Sequence, residues 1–291
     1  MATSTGSIDL YQLQHESQSF LHPVIKPIRS LQYFPKDVLV TAFSWHPDGR
    51  TVGMSLSSGT VCLSSIDPFS QNDPKDSHVD LMVHEQEAWT LAFTPDGCGV
   101  FSGGDDSTLR FTSIDVDQLI YRDASKESNT HTTTMPWVER RIHGAGVTAI
   151  LPLRTDDNGS LVLTGSYDEH IRLLHIPPIG RRTVVAEANI GNGDGGVWRL
   201  KCLRVAQIGS TSTDIADSEI ILLASCMRAG ARIVKLHQAV DGQWQFEVLA
   251  KFEEHKSMNY GSDSQSALNS RGQHTIITTS FYDRLLCLWR Y

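Results

Sequence analysis

The chain has 291 residues, 40% of them hydrophobic and 20% charged, which excludes a disordered polyelectrolyte and supplies enough apolar side chains for a core. Its formal charge of -8 argues against a broad nucleic-acid-binding surface, because phosphate contacts need clustered Lys and Arg. The longest apolar runs, such as IILLA at 220–224, are too short to cross a bilayer. The start, MATSTGSIDLYQLQHE, has neither a basic region nor an apolar one, and the five cysteines form no CxxC pair. Together these predict a cytoplasmic protein with no membrane association.

In chain order, the first β-type fragment is GSIDLYQL at 6–13. Five longer segments then share one form, a β-type run, a small-polar turn and a second β-type run. They are VGMSLSSGTVCLSSI (52–66), GVFSGGDDSTLRFTSI (99–114), LVLTGSYDEHIRLLHI (161–176), ILLASCMRAGARIVKL (221–236) and IITTSFYDRLLCLWRY (276–291). The apolar residue after each turn, Val61, Leu109, Ile171, Ile233 and Leu286, recurs at intervals of roughly 50–60 residues, and Ile8 takes the matching place in the first fragment. Each unit has an upstream strand. Two of these, LVTAFSWHPDGR and AWTLAFTPDGCG, end in Pro-Asp-Gly, where Pro presets one corner of a turn and Gly accepts positive φ at the next. Strands alternate apolar and polar residues and no helical period is sustained. Long loops are expected near 115–142, 207–218 and 257–275.

Short strands repeated with turn chemistry between them indicate an all-β chain, a β-propeller. The repeats resemble WD40 repeats, which carry a His before the first strand, an Asp in the turn between the second and third strands, and a Trp near the end. Here His84 would pair with Asp106, His143 with Asp168 and His255 with Asp283, and Trp289 takes the terminal position. Two repeats lack the turn Asp and show Ser58 and Gly230 instead. The expectation is one WD40 β-propeller domain over 1–291, with seven blades, or six with an incomplete N-terminal blade.

More specific segments follow one another as GSYDEHIRL (165–173), GGVWRLK (195–201), LLASCMRAG (222–230), HKSMNYGSDS (255–264) and TSFYDRLLCLW (279–289). Together they resemble the diphthine methylesterase family of the diphthamide pathway, whose members are also called diphthine methyltransferases. The resemblance implies a hydrolase that removes the methyl ester of methylated diphthine on translation elongation factor 2, releasing methanol. It implies no cofactor. The rival reading is a non-catalytic WD40 interaction scaffold or trafficking adaptor, because a propeller by itself does not specify function.

No GxSxG elbow, HExxH helix, P-loop or zinc-spaced Cys/His cluster is present, so no metal is expected. In a WD40 repeat the loop before the first strand and the turn between the second and third strands emerge on one side. The candidate catalytic residues are therefore His143 with Asp168 and His255 with Asp283, each pair being either a structural brace or a base oriented by a carboxylate. The substrate's trimethylammonium group would sit on aromatic faces near acids, which selects Tyr167, Trp198, Tyr260 and Tyr282, with Asp263 as a further carboxylate. Backbone amides of the GGVW turn could stabilise an oxyanion. Cys226 is either an inert thiol or a thiolate activated by Arg228.

Overall fold

A computed structural model describes residues 1–14, 24–66, 78–121, 135–207 and 218–291. They form two compact units, 1–138 and 139–291. Apart from one π-helical turn at Asp117–Tyr121, every regular element is a β-strand.

In the first unit, β1 (Ser7–Gln14) and β2 (Val24–Gln32) make a two-stranded hairpin. β3 (Val40–Trp45), β4 (Thr51–Leu56), β5 (Thr60–Ser65) and β6 (His78–Val83) form a four-stranded sheet in chain order. β7 (Ala88–Phe93), β8 (Gly99–Gly104), β9 (Leu109–Ser113) and β10 (Trp137–Glu139) form the next. In the second unit, β11 (Val147–Asp156), β12 (Gly159–Ser166), β13 (His170–Ile176) and β14 (Thr183–Asn189) form one sheet. β15 (Arg199–Gln207), β16 (Ser218–Ser225), β17 (Ala231–Gln238) and β18 (Trp244–Phe252) form another. β19 (Asn259–Ser264), β20 (Thr275–Ser280) and β21 (Leu286–Arg290) make a three-stranded sheet. All neighbours are antiparallel, so each sheet is a meander closed by tight turns.

The second strand of each full sheet departs from the expected alternation. β4, β8 and β12 are buried at every position, because both faces of the sheet are covered. Small residues make this possible. A Cβ on Gly53 would lie 2.3 Å from Leu91 Cδ1, and one on Gly165 would lie 2.6 Å from Val197 Cγ1, so the adjoining sheet closes directly on bare backbone. In the second unit the inner faces of β12, β13, β16 and β17 meet in one cluster that includes Leu163, Leu173, Leu222 and Val234. β20 and β21 do alternate. Ile276 is buried, whereas Leu286 and Leu288 are mostly exposed.

Two of the stretches expected as loops hold regular structure among the described residues. The stretch at 257–275 holds β19, and the stretch at 115–142 holds the π-helical turn and β10. Their remaining parts at 122–134, and the expected loop at 207–218 except for its two end residues, lie outside the described residues. Both Pro-Asp-Gly segments are turns. Asp48 Oδ1 accepts the amides of Arg50 and Thr51 (both 2.8 Å), and Gly49 and Gly97 have φ of 68° and 75°.

Candidate functional site

In three sheets the turn between second and third strands places a carboxylate against the loop that precedes the sheet. Asp106 accepts the Glu85 amide at 3.0 Å, Asp168 the Gly144 amide at 2.8 Å and Asp283 the Lys256 amide at 2.9 Å. In each case the donor is the residue after the motif histidine. The expected histidine–aspartate pairs then diverge. His84 Nδ1 meets Asp106 Oδ1 directly at 2.9 Å, and its Nε2 meets Ser102 Oγ at 2.9 Å. His143 makes no hydrogen bond to Asp168. The Arg172 guanidinium occupies both carboxylate oxygens at 2.9 Å, leaving His143 bonded through Nε2 to Thr164 Oγ1 at 2.9 Å. Its Nδ1 is buried and has no partner among the described residues. Burial, with Arg172 nearby, pushes the His143 pKa down to about 3, so the ring is neutral, enclosed and cut off from solvent.

His255 is held differently again. Its Nε2 meets Thr278 Oγ1 at 2.8 Å and its Nδ1 meets Ser280 Oγ at 2.8 Å. Ser280 in turn donates to Asp283 Oδ1, which also receives the Ser257 hydroxyl at 2.9 Å. A hydroxyl has one proton to give, so the His255 Nδ1–H must be the donor to Ser280 and Nε2 the basic nitrogen. The Ser280 hydroxyl bond, assisted by the Lys256 amide and Ser257, holds the Asp283 carboxyl at about 2, while burial lowers the His255 pKa. The chain of contacts is Asp283, Ser280, His255, Thr278. Beside it opens a cleft of about 380 Å³, lined by Asp194 and Arg228 together with residues 255–258 and Tyr282.

Three of the four aromatics read from the sequence stand in a row, and Phe281 joins the fourth to them. Ring centroids are 5.9 Å apart for Tyr167 and Trp198, 5.0 Å for Trp198 and Tyr260, 6.2 Å for Tyr260 and Phe281, and 5.1 Å for Phe281 and Tyr282. Backbone bonds fix the strip. Trp198 N donates to Ser225 O at 2.7 Å, Asn259 N to Met227 O at 2.9 Å, and Phe281 N to Met258 O at 3.1 Å. Arg199 backs it, with its guanidinium carbon 4.7 Å from the Trp198 ring centre and Nη1 donating to Thr148 O and Trp198 O (both 2.9 Å). Burial brings the Arg199 pKa down to about 10. At the cleft end, Tyr260 OH contacts Met258 Sδ at 2.6 Å, and Phe281 and Tyr282 are largely exposed.

The other candidates lie elsewhere. Asp168 braces its turn, and Asp263, the exposed residue of half-buried β19, is paired with the Lys201 ammonium, which keeps its carboxyl below the ordinary range. Two amides of the GGVW turn are already used, Val197 N by Ser166 O (2.9 Å) and Trp198 N by Ser225 O (2.7 Å), so neither is open to an oxyanion. Cys226 is fully buried, and burial pushes its thiol up to about 12 despite Arg232, so it is no thiolate. Sequence reasoning missed Phe281, Lys256, Ser257, Met258 and Asp194. The turn position was also misplaced in one repeat. The pairs Gly165↔Ile171 and Ser225↔Ala231 centre their turns on Asp168 and Arg228, so Arg228 rather than Gly230 stands where the aspartate would be. Among the described residues no group of three His, Cys, Asp or Glu side chains is placed to hold a metal, and no helix is long and apolar enough to cross a membrane.

Residues 77–113 match the model of the WD domain, G-beta repeat. The diphthine methyltransferase of Saccharomyces cerevisiae is 28% identical over 332 residues, covering 99% of this chain and 78% of that protein. The diphthine methyltransferase of Schizosaccharomyces pombe is 26% identical, covering 99% of this chain and 73% of that one. The chain is thus similar over nearly its whole length to these diphthine methyltransferases. Among solved structures, Chaetomium thermophilum Sqt1, bound to the N-terminus of ribosomal protein L10, superposes with a TM-score of 0.57 at 14% identity, over 95% of this chain and 67% of that one. The fold is the all-β WD40 β-propeller, and the described residues give five blades rather than the seven expected.

Proposed function

We propose that the protein acts in diphthamide biosynthesis by hydrolysing the methyl ester of methylated diphthine on translation elongation factor 2. The single observation that carries this reading is the aromatic strip from Tyr167 to Tyr282, which ends at a cleft lined by His255, the ring that bonds Ser280 and through it Asp283. A trimethylammonium ion is too weakly hydrated to need hydrogen bonds and is held by ring faces, each worth about 0.5–2 kcal/mol. Exposed Tyr282 and Phe281 are the faces a protein-borne side chain would reach first.

Of the two candidate bases, His255 is the one on the cleft, and His143 is reserved for structure. Water adds to the ester carbonyl while His255 takes its proton, and the relay through Ser280 to Asp283 stabilises the imidazolium. The C–OCH3 bond then breaks and the proton returns to the departing methoxide, leaving methanol and a carboxylate. The scheme uses no cofactor and no metal and is placed in the cytosol.

A second reading, a non-catalytic adaptor, draws on the fact that both ring nitrogens of His255 are already engaged, as in a purely structural brace. One experiment decides between them. Purified protein is incubated with methyl-esterified elongation factor 2, and methanol and the mass of the modified histidine are followed. Loss of one methylene mass with matching methanol, abolished in His255→Gln and retained in His143→Gln, is the expected result. An unchanged mass at stoichiometric protein would leave the adaptor.

A further inference from the structure

The blade β15–β18 lacks the brace that β7–β10 and β11–β14 share. Asp106 and Asp168 sit centrally in their turns and are nearly buried, at 4% and 14% exposure, each clamped by the arginine four residues on. The residue in register with them is Arg228, which is 61% exposed. Arg232, in register with Arg110 and Arg172, is buried and turns to Glu253 at 2.8 Å. The acid has thus been exchanged for a base, and the brace is gone. What Arg228 has near it is Asp194, 3.9 Å away and 71% exposed, a contact that in water contributes little to stability.

The exchange places a permanent cation on the wall of the cleft, together with Lys256, facing the same space as Tyr282. The turn is pinned there by the Met227–Asn259 bridge, so the backbone that carries Arg228 stands at a fixed place next to the aromatic strip. A pocket that received only a quaternary ammonium would be weakened by such a charge. A pocket that received a quaternary ammonium with a negative oxygen a few bonds away would gain from it.

We propose that Arg228 is the carboxylate-recognising residue of the cleft, so that the site takes a zwitterion whose ammonium lies on Tyr282 and whose carboxylate meets the Arg228 guanidinium. This rests on the diphthine reading above and adds to it the group that reads the acid end. It also supplies the oxyanion partner that the occupied Val197 and Trp198 amides do not. The carboxylate state is favoured over its methyl ester because a charge-assisted hydrogen bond is about twice as strong as a neutral one.

The test uses three small probes on the intact chain, glycine betaine, its methyl ester and choline, titrated by ligand-observed NMR. In the wild type, betaine binds more tightly than its ester. Arg228→Gln weakens betaine about tenfold and leaves ester and choline bound as tightly as before or more tightly, because the repelling charge is gone, whereas Arg228→Lys retains part of the preference. Unfolding curves confirm that the variants fold, as expected for an exposed side chain. Equal betaine affinity in wild type and Arg228→Gln overturns the proposal. Arg228-dependent binding of betaine and of acetate, with no binding of choline or ester, supports the role of Arg228 and instead removes the aromatic ammonium site. No binding of any probe overturns both.

Discussion

The blades β7–β10 and β19–β21 carry the same histidine, hydroxyl and aspartate, yet use them differently. In the first, the turn is short, His84 touches Asp106, and Arg110 completes the set at 3.0 Å. In the last, the turn is one residue longer, as the pairs Ser102↔Arg110 and Thr278↔Cys287 show, and the extra residue displaces the carboxylate outwards. Ser280 fills the gap between acid and imidazole, Cys287 replaces the arginine, and Asp283 is left exposed, while His255 lines a cleft. The lesson is that a motif whose polar groups satisfy one another is a brace, and the same motif loosened by one residue becomes a surface with unfinished business. The blade β11–β14 lies between these cases, because Arg172 has taken the aspartate from His143.

This contrast can be broken experimentally. The largest effect is expected at Asp106. Its removal in Asp106→Ala leaves His84 and Arg110 buried without their acceptor and should cost about 3 kcal/mol in urea unfolding. Asp283→Ala, at an exposed carboxylate, should barely move the same curve. Equal losses would mean that the last blade is braced like the first.

Acid is the next lever. His143 has a folded pKa of about 3 against an ordinary 6.5, so between those values the unfolded chain binds a proton that the folded chain refuses. Stability from this group is therefore complete above pH 6.5 and declines as the pH falls, by about 2 kcal/mol at pH 5. Replacing the ring in His143→Gln should flatten the stability–pH slope over that window; an unaltered slope would show that His143 titrates normally.

The smallest expected change tests the open end of the comparison. Tyr282→Ala should weaken choline binding about three- to tenfold, with Tyr282→Phe close to wild type, because the face and not the hydroxyl makes the contact. Identical affinities for all three would take the aromatic strip out of recognition.

Much of this architecture was legible beforehand, and the misses share one cause. The recurrence of strand, turn and strand located the central strands of every full blade, and the Pro-Asp-Gly corners fell where Pro and Gly require them. β2 and the fourth strands β6, β10, β14 and β18 were not read, because exposed or very short outer strands leave little apolar pattern. Counting from Ile233 put Gly230 at the turn, whereas backbone pairing puts Arg228 there, since Ile233 pairs with Leu223 and lies two residues beyond the place that Ile171 takes in its blade. Tyr167, Trp198, Tyr260 and Tyr282 were picked together as faces for one cation, without their order or spacing. That they form one strip depends on Phe281, which looked like an unremarkable neighbour.

The sequence alone determined the all-β meander, its turns and the identity of the polar groups at each one, because these follow from local periodicity and from the backbone preferences of Gly, Pro and Asp. Only the tertiary structure decided which histidine met its aspartate, which lost it to an arginine and which was left beside a cleft. Hydrogen-bond partnership depends on tenths of an ångström between segments far apart in the chain, and no spacing along a single strand encodes that.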